Sequence, residues 1–395
     1  MTRWVDVVNF NADASCLDTA RWLKALEGGR ESEFCRWLRL YVETGRKAVL
    51  GLTGATIADV TIHNPEARDL IRGNPEIFEA VVRPFSHDIA LIRGTKGFSL
   101  NLELGARSIG EMFARVSQFY LPPEFMLSNE QVAILAGSGY AGIFVNASRL
   151  ASDTRVRVPD RPYHVRGIGG TRLPCLPVRG GLTDAYLDAL HRYDPDSWNE
   201  ALRGCRAETV VCWRDGESAF LLPDGLERER HWLAGERHGE RIFLSQIDSE
   251  YLAPESLSSE HLQSYPVHSF LAWMKEFRMM GYLGRLHRIE TEAHRFSTEQ
   301  LVLWLQAINS DVMSAVEKRS PQVALRPKAD ADALITHTLF RSERGFEGEE
   351  CLSLLERSLE GDADAFDHFL ARDEPLSRKV RGRHEYLRLL VAGQT

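Results

Sequence analysis

Two acidic residues stand where this chain could do chemistry. Glu124 lies in Phe119-Tyr-Leu-Pro-Pro-Glu124-Phe-Met-Leu-Ser128-Asn-Glu-Gln131. Phe119 to Leu121 read as the end of a buried strand, and Pro122 and Pro123 stop it because proline cannot donate to a ladder. A helix begins at Ser128, where Ser-x-x-Gln with Gln131 is a capping-box signal, and Gly137 and Gly139 close it. Glu124 therefore occupies a strand-to-helix loop, which in a parallel α/β fold lies at the end of the sheet where active sites are built. A glutamate favoured by a helix dipole has the same local signature. Asp215 follows the apolar run Thr209-Val-Val-Cys-Trp213, and Asp215-Gly216 also reads as a hairpin turn. Asp248 follows the run from Arg241 to Ile247 and doubles as a cap for a following helix. Two carboxylates from separate strand ends, facing one pocket, are what glycosidic bond cleavage needs. One attacks or stabilises the oxocarbenium-like centre and the other protonates the leaving oxygen.

The elements that must position these groups alternate. Val5 to Phe10, Ala48 to Leu52, Phe78 to Val82, Phe119 to Leu121, Ala141 to Asn146, Leu173 to Pro177, Thr209 to Trp213 and Arg241 to Ile247 have strand character. Helical spacing falls between them at Leu17 to Leu26, Pro65 to Arg72, Ile109 to Val116 and Thr183 to His191, while Ser99 to Leu104 looks extended. Such alternation implies an α/β fold with a parallel sheet, open or closed into a barrel. After about Glu290 the pattern is helical only: Leu301 to Val316, Ala331 to Phe340, Cys351 to Leu359 and Ala363 to Leu370. The expected division is residues 1–290 as the catalytic domain and 291–395 as a helical C-terminal domain.

Composition narrows the function classes. The chain has 395 residues, 44% of them hydrophobic, and a formal charge of −8. An extended nucleic-acid-binding surface is not expected from that balance. No apolar run is long enough to cross a membrane, and Arg3 and Asp6 interrupt the start, so no membrane partner is expected. Six scattered cysteines form no Cys-x-x-Cys pair, consistent with reduced thiols in a cytoplasmic protein.

Tyr120-Leu-Pro-Pro-Glu124, the capped helix and Gly137-Ser-Gly-Tyr-Ala-Gly-Ile143 resemble the nucleophile region of family 57 glycoside hydrolases, the α-amylase and 4-α-glucanotransferase group. Asp215-Gly-Glu-Ser-Ala-Phe220 resembles that family's acid/base region, and Glu79 falls at its Gln-x-Glu strand. The resemblance spans roughly residues 4 to 280. It implies a distorted (β/α)7 barrel with an α-helical C-terminal region, and a retaining enzyme with Glu124 as nucleophile and Asp215 as general acid/base. Their carboxyl groups would lie about 5–5.5 Å apart. A saccharide or glycoside substrate is implied, with no metal or other cofactor. The surrounding substrate contacts expected are Asn11, Asp13, Glu79, His87, Trp213 and Asp248. The chain departs from the family where a His-Gln-Pro block would stand, reading Asn9-Phe-Asn11-Ala-Asp13, and again at Arg83-Pro-Phe-Ser-His87-Asp88.

Two further readings follow from the residues. Asp13 and His87, with His63 or Asp88, imitate the ligand sets of metal-dependent deacetylases and α-mannosidases. A barrel that binds saccharides without turning them over is the third.

Overall fold

The computed structural model describes residues 2–11, 19–146, 162–178, 182–205, 208–221, 224–247, 255–256, 277–310, 347–362 and 364–393. Among these residues ten strands form one sheet: β1 (Arg3–Phe10), β2 (Ala48–Leu52), β3 (Phe78–Val82), β4 (Val116–Tyr120), β5 (Gly142–Asn146), β6 (Tyr163–Arg166), β7 (Arg172–Val178), β8 (Thr209–Asp215), β9 (Glu240–Arg241) and β10 (Glu255–Ser256). The order is β10-β6-β7-β5-β4-β3-β2-β1-β8, with β9 pairing off this path with β1. The run from β7 through β1 to β8 is parallel throughout. Its two ends, β7 and β8, lie beside each other in space, although no ladder joins them among the described residues. The sheet is thus a distorted barrel of seven parallel strands with an open seam, and helices cover its outside. A register shift between β3 and β4, where Ala80 meets Val116 but Val82 meets Tyr120, adds to the distortion.

Both faces of the sheet are buried, which is why its strands read as nearly continuous apolar runs. Val5, Val7, Val49, Val81, Phe119, Phe144, Leu176, Val211 and Trp213 fill the barrel interior. Ile242, Phe243 and Leu244 join that inner cluster beside the strand starts. Trp4, Val8, Phe10, Leu50, Ala80, Val82 and Cys212 face the surrounding helices. Beneath the outer face of β1 and β8 lies a buried polar layer. Arg241 bonds Asp6 at 2.9 Å and pairs with Glu236, Arg214 pairs with Glu229, and the Tyr41 and Tyr186 hydroxyls donate to Glu229 and Asp6.

Several elements differ from the sequence reading. Ser99 to Leu104 is not extended; it lies within helix Thr95–Met112. The alternation of Leu100, Leu102 and Leu104 imitates a strand, but Phe98, Leu102, Gly105, Ile109 and Met112 are buried at helical spacing. Helices Glu33–Thr44 and Gly54–His63 are additional, each opened by a side-chain cap, Ser32 and Thr53 respectively. The run from Arg241 to Ile247 keeps strand pairing only at its first residue and then tightens into a 3-10 turn, Leu244–Gln246. Asp215-Gly216 leads into the short helix Ser218–Leu221 rather than a hairpin. The helical run expected at 331–340 lies outside the described residues, as does the part of 301–316 beyond 310.

Helix Thr298–Ala307, helix 347–359 and helices Asp364–Leu370 and Pro375–Ala392 form the C-terminal helical region. It docks on the barrel through a buried ion pair. Arg383 donates to both oxygens of Asp59 at 2.8 and 2.7 Å, and Asp59 also accepts from Trp22 Nε1. Gly382 permits the close approach, since a Cβ there would lie 3.1 Å from His63 Nε2. Arg383→Met strands the Asp59 carboxylate in a dry interface. We expect it to lower unfolding stability by about 3–5 kcal/mol in urea titrations, with much of the loss recovered in Arg383→Met/Asp59→Leu. A loss confined to the range of exposed pairs would contradict this docking.

Candidate active site

The period of two along each strand decides which side chains enter the barrel. On β1, Val5 and Val7 face inward, so Asn9 does too. On β8, Val211 and Trp213 carry the same phase to Asp215, and on β3 Val81 carries it to Arg83 just past the strand. Asn9 and Asp215 are register partners across the β1–β8 ladder. Asn9 Nδ2 donates to Asp215 Oδ1 at 3.0 Å, and Arg83 Nη1 donates to Asn9 Oδ1. Beyond the strands, Gly216 N donates to Asn9 O and Asn11 N to Glu217 Oε1 at 2.6 Å, so the two chains stay stitched where the ladder ends. Glycine is required at 216, where a Cβ would lie 2.3 Å from the Phe10 ring.

Glu124 arrives from β4 by an unusual route. After Pro122 the backbone takes left-handed conformations at two successive non-glycine residues, Glu124 (φ 54°) and Phe125 (φ 55°). Each costs about 1–2 kcal/mol for an L-residue, and such strain concentrates at functional positions. The turn returns Phe125 to the inner cluster, where its ring meets Trp213 edge-on at 5.3 Å, and thereby joins the Glu124 loop to β8.

Arg83 is the common neighbour. It is 1% exposed, and its guanidinium lies in the electrostatic field of Tyr120, Glu217, Asp215 and Glu124. Burial lowers it to about 10 despite those groups. Asp215 meets solvent, yet enough protein surrounds it that burial raises its carboxyl above the ordinary range. The Asn9 hydrogen bond, Arg83, Arg214 and His191 pull the other way. A carboxyl balanced in this way suits proton transfer, and a second carboxylate sharing the same guanidinium suits charge stabilisation.

The other expected contacts are distributed. Asn11 is at the strand ends, its backbone held by Glu217. His87 is buried in the loop after β3, with Nδ1 2.7 Å from Ser310 Oγ. Glu79 is not gathered with them: it lies near the start of β3, at the opposite end from Arg83, and accepts from Ser245 N at 3.2 Å. Trp213 is buried in packing against Phe125, one layer below Asp215, rather than presented as a stacking surface. Asp13 and Asp248 lie outside the described residues. Among the described residues no cluster of three or more His, Cys, Asp or Glu side chains is placed to hold a metal ion, and no helix is long and apolar enough to cross a membrane. Sequence reasoning missed Asn9, Arg83 and Glu217 as members of the site. Extending the inward phase of each strand by two residues would have found the first two.

No protein-family model matches this chain, and no curated protein matches it. Solved structures do. A 4-α-glucanotransferase from Thermococcus litoralis superposes with a TM-score of 0.62 at 14% identity over 79% of this chain, which spans 56% of that enzyme. A GH57-type branching enzyme from Pyrococcus horikoshii superposes with a TM-score of 0.60 at 11% identity, covering 100% of this chain and 97% of the other. An exo-type maltose-forming amylase from Pyrococcus sp. ST04 gives 0.54 at 11% identity, covering 100% and 84%. At these identities the likeness is one of fold.

Two outcomes are expected. Glu124→Gly should unfold at higher denaturant than Glu124→Ala by about 1 kcal/mol, because only glycine relieves the left-handed φ; equal stabilities would contradict the strained turn. Asp88, beside His87, shares Arg93 with Glu290 in a buried cluster, and burial raises its carboxyl from 3.8 to about 7. The folded state therefore keeps a proton that the unfolded chain has lost. This contribution is full below about pH 3.8, shrinks as pH rises and is gone above about 7. Asp88→Asn should flatten the fall of Tm across that window, and an unchanged slope would contradict it.

Proposed function

We propose that this chain is a carbohydrate-active enzyme that cleaves or transfers a glycosidic bond with retention, Glu124 serving as nucleophile and Asp215 as general acid/base. The observation that carries the reading is positional: Asp215 ends β8 and is joined through Asn9 to Arg83, while Glu124 stands in the strained turn after the parallel strand β4, tied to β8 by the Phe125–Trp213 ring contact. The fold likeness to a glucanotransferase, a branching enzyme and an amylase supports saccharide as the substrate class.

In the first step Asp215 donates its proton to the glycosidic oxygen as Glu124 attacks the anomeric carbon. In the second, Asp215 takes a proton from water or a sugar hydroxyl, which displaces Glu124. The burial that raises Asp215 favours the protonated form needed first, and its ionisation after the transfer is supported by Asn9 and Arg83. Asn11 and His87, with Asp13 and Asp248, are proposed to contact the substrate. Residues 1–290 would carry the chemistry and 291–395 form the helical domain docked through Arg383.

Activated aryl glycosides of both anomers, incubated with and without chelator, test the proposal. Turnover should survive chelation and retain anomeric configuration by NMR. Glu124→Gln and Asp215→Asn should each lower kcat/KM by at least about 10²-fold. Inversion, or turnover indifferent to both variants, would overturn it. Zinc-restorable loss with chelator would favour a metal hydrolase, and binding without turnover a saccharide-binding barrel.

A further inference from the structure

Both ends of the Asn9 amide are committed. A guanidinium only donates, so the Asn9 atom that meets Arg83 is Oδ1. That leaves Nδ2 for Asp215 Oδ1, 3.0 Å away. We propose that Arg83 is a positioning residue: by occupying Asn9 Oδ1 it obliges that amide to donate to Asp215, and with its charge it sets the orientation and ionisation of the Asp215 carboxylate. The inference rests on the reading of Asp215 as the acid/base group and adds the residue that tunes it.

The surroundings single out Arg83. Asn9 from β1, Arg83 from beyond β3, Arg214 on its own strand and His191 from helix Leu182–Arg192 each oppose the effect of burial on the Asp215 carboxyl, and Glu217 and Glu124 share Arg83 with it. Arg214 belongs to the outer polar layer, where Glu229 and Asp6 meet its charge. His191 is exposed on its helix, where water screens it. Of these three cations, Arg83 is the one that is buried and stands at an inward position. Its Nε and Nη2 are buried without hydrogen-bond partners among the described residues, so its hold on the site is one amide contact plus its field. That places the weight on charge rather than on a bidentate grip.

Recognition of an anionic group on the substrate is the rival use for such an arginine. It fits less well, because Asp215, Glu217 and Glu124 already face this one positive charge, and a further anion meets net repulsion.

The helix packed behind Arg83 also indicates a built position. A Cβ at Gly105 of helix Thr95–Met112 would lie 2.2 Å from Arg83 O and 2.4 Å from Pro84 C. The absence of a side chain at 105 lets the helix backbone press directly on the Arg83–Pro84 peptide and fix where the side chain starts.

The test is an NMR titration of the full chain carrying isotope-labelled aspartate carboxyls, with the Asp215 signal assigned by its loss in Asp215→Asn. Arg83→Met should raise the Asp215 midpoint by about one unit or more. Arg83→Lys, which keeps the charge, should restore most of that difference. Asn9→Ala, which removes the bridge, should raise the midpoint as well and guards against failure of Arg83→Met to fold. A midpoint unmoved in folded Arg83→Met or in Asn9→Ala overturns the inference, because a purely structural arginine would alter only Tm. Glycoside turnover is followed separately. Turnover with an unmoved midpoint removes this inference alone, whereas a shifted midpoint in a protein that turns over no glycoside supports the coupling and removes the proposed function.

Discussion

A guanidinium inside a barrel has lost its water, and only negative charge and hydrogen-bond acceptors brought to it can offset that loss. Arg83 imposes this requirement on the strand ends. Asn9 supplies the acceptor, and Asp215, Glu217 and Glu124 supply the charge. The carboxylates in turn would repel one another if the guanidinium were absent. Each part of the cluster therefore offsets a cost that the others impose.

The strands deliver these groups through opposite choices at neighbouring positions. Arg214 and Asp215 are consecutive, so one must face out when the other faces in. Glu229, Tyr41 and Asp6 hold Arg214 in the buried outer layer, and that anchoring turns Asp215 toward Asn9. Small residues make the approach possible: Gly216 passes against Phe10, and Gly105 lets a helix backbone touch the Arg83–Pro84 peptide. At Glu124 the price is backbone strain, accepted where two prolines end β4 and Phe125 must return to the interior.

Much of this arrangement was legible in the sequence, and the failures have physical causes. The parallel alternation, the strand at 48–52, the capping box at Ser128 and the helical C-terminal character depend on short-range signals, and within the described residues they are present as read. Glu124 and Asp215 stood out because they follow apolar runs, and both do stand at strand ends. Arg83 and Asn9 were overlooked because a charged or amide side chain at an inward position looks like a loop residue until its partners on other strands are known. Glu79 misled for the converse reason: it has the right inward phase but the wrong end of the strand, and phase alone does not distinguish the two ends. Leu100, Leu102 and Leu104 alternate as in a strand, and only the burial of Phe98, Ile109 and Met112 on one face shows the helix.

The most direct measurement is covalent trapping. Fluorosugars that form the glycosyl-enzyme readily but release it slowly can be offered as activated glycosyl fluorides of several sugar configurations, followed by peptide mapping in a mass spectrometer. The expected result is a single glycosyl ester on the peptide containing Glu124, absent when Glu124 is changed to glutamine. Attachment at Asp215 or Glu217 instead, or turnover of the parent glycoside with no trapped ester on any carboxylate, would contradict the central claim.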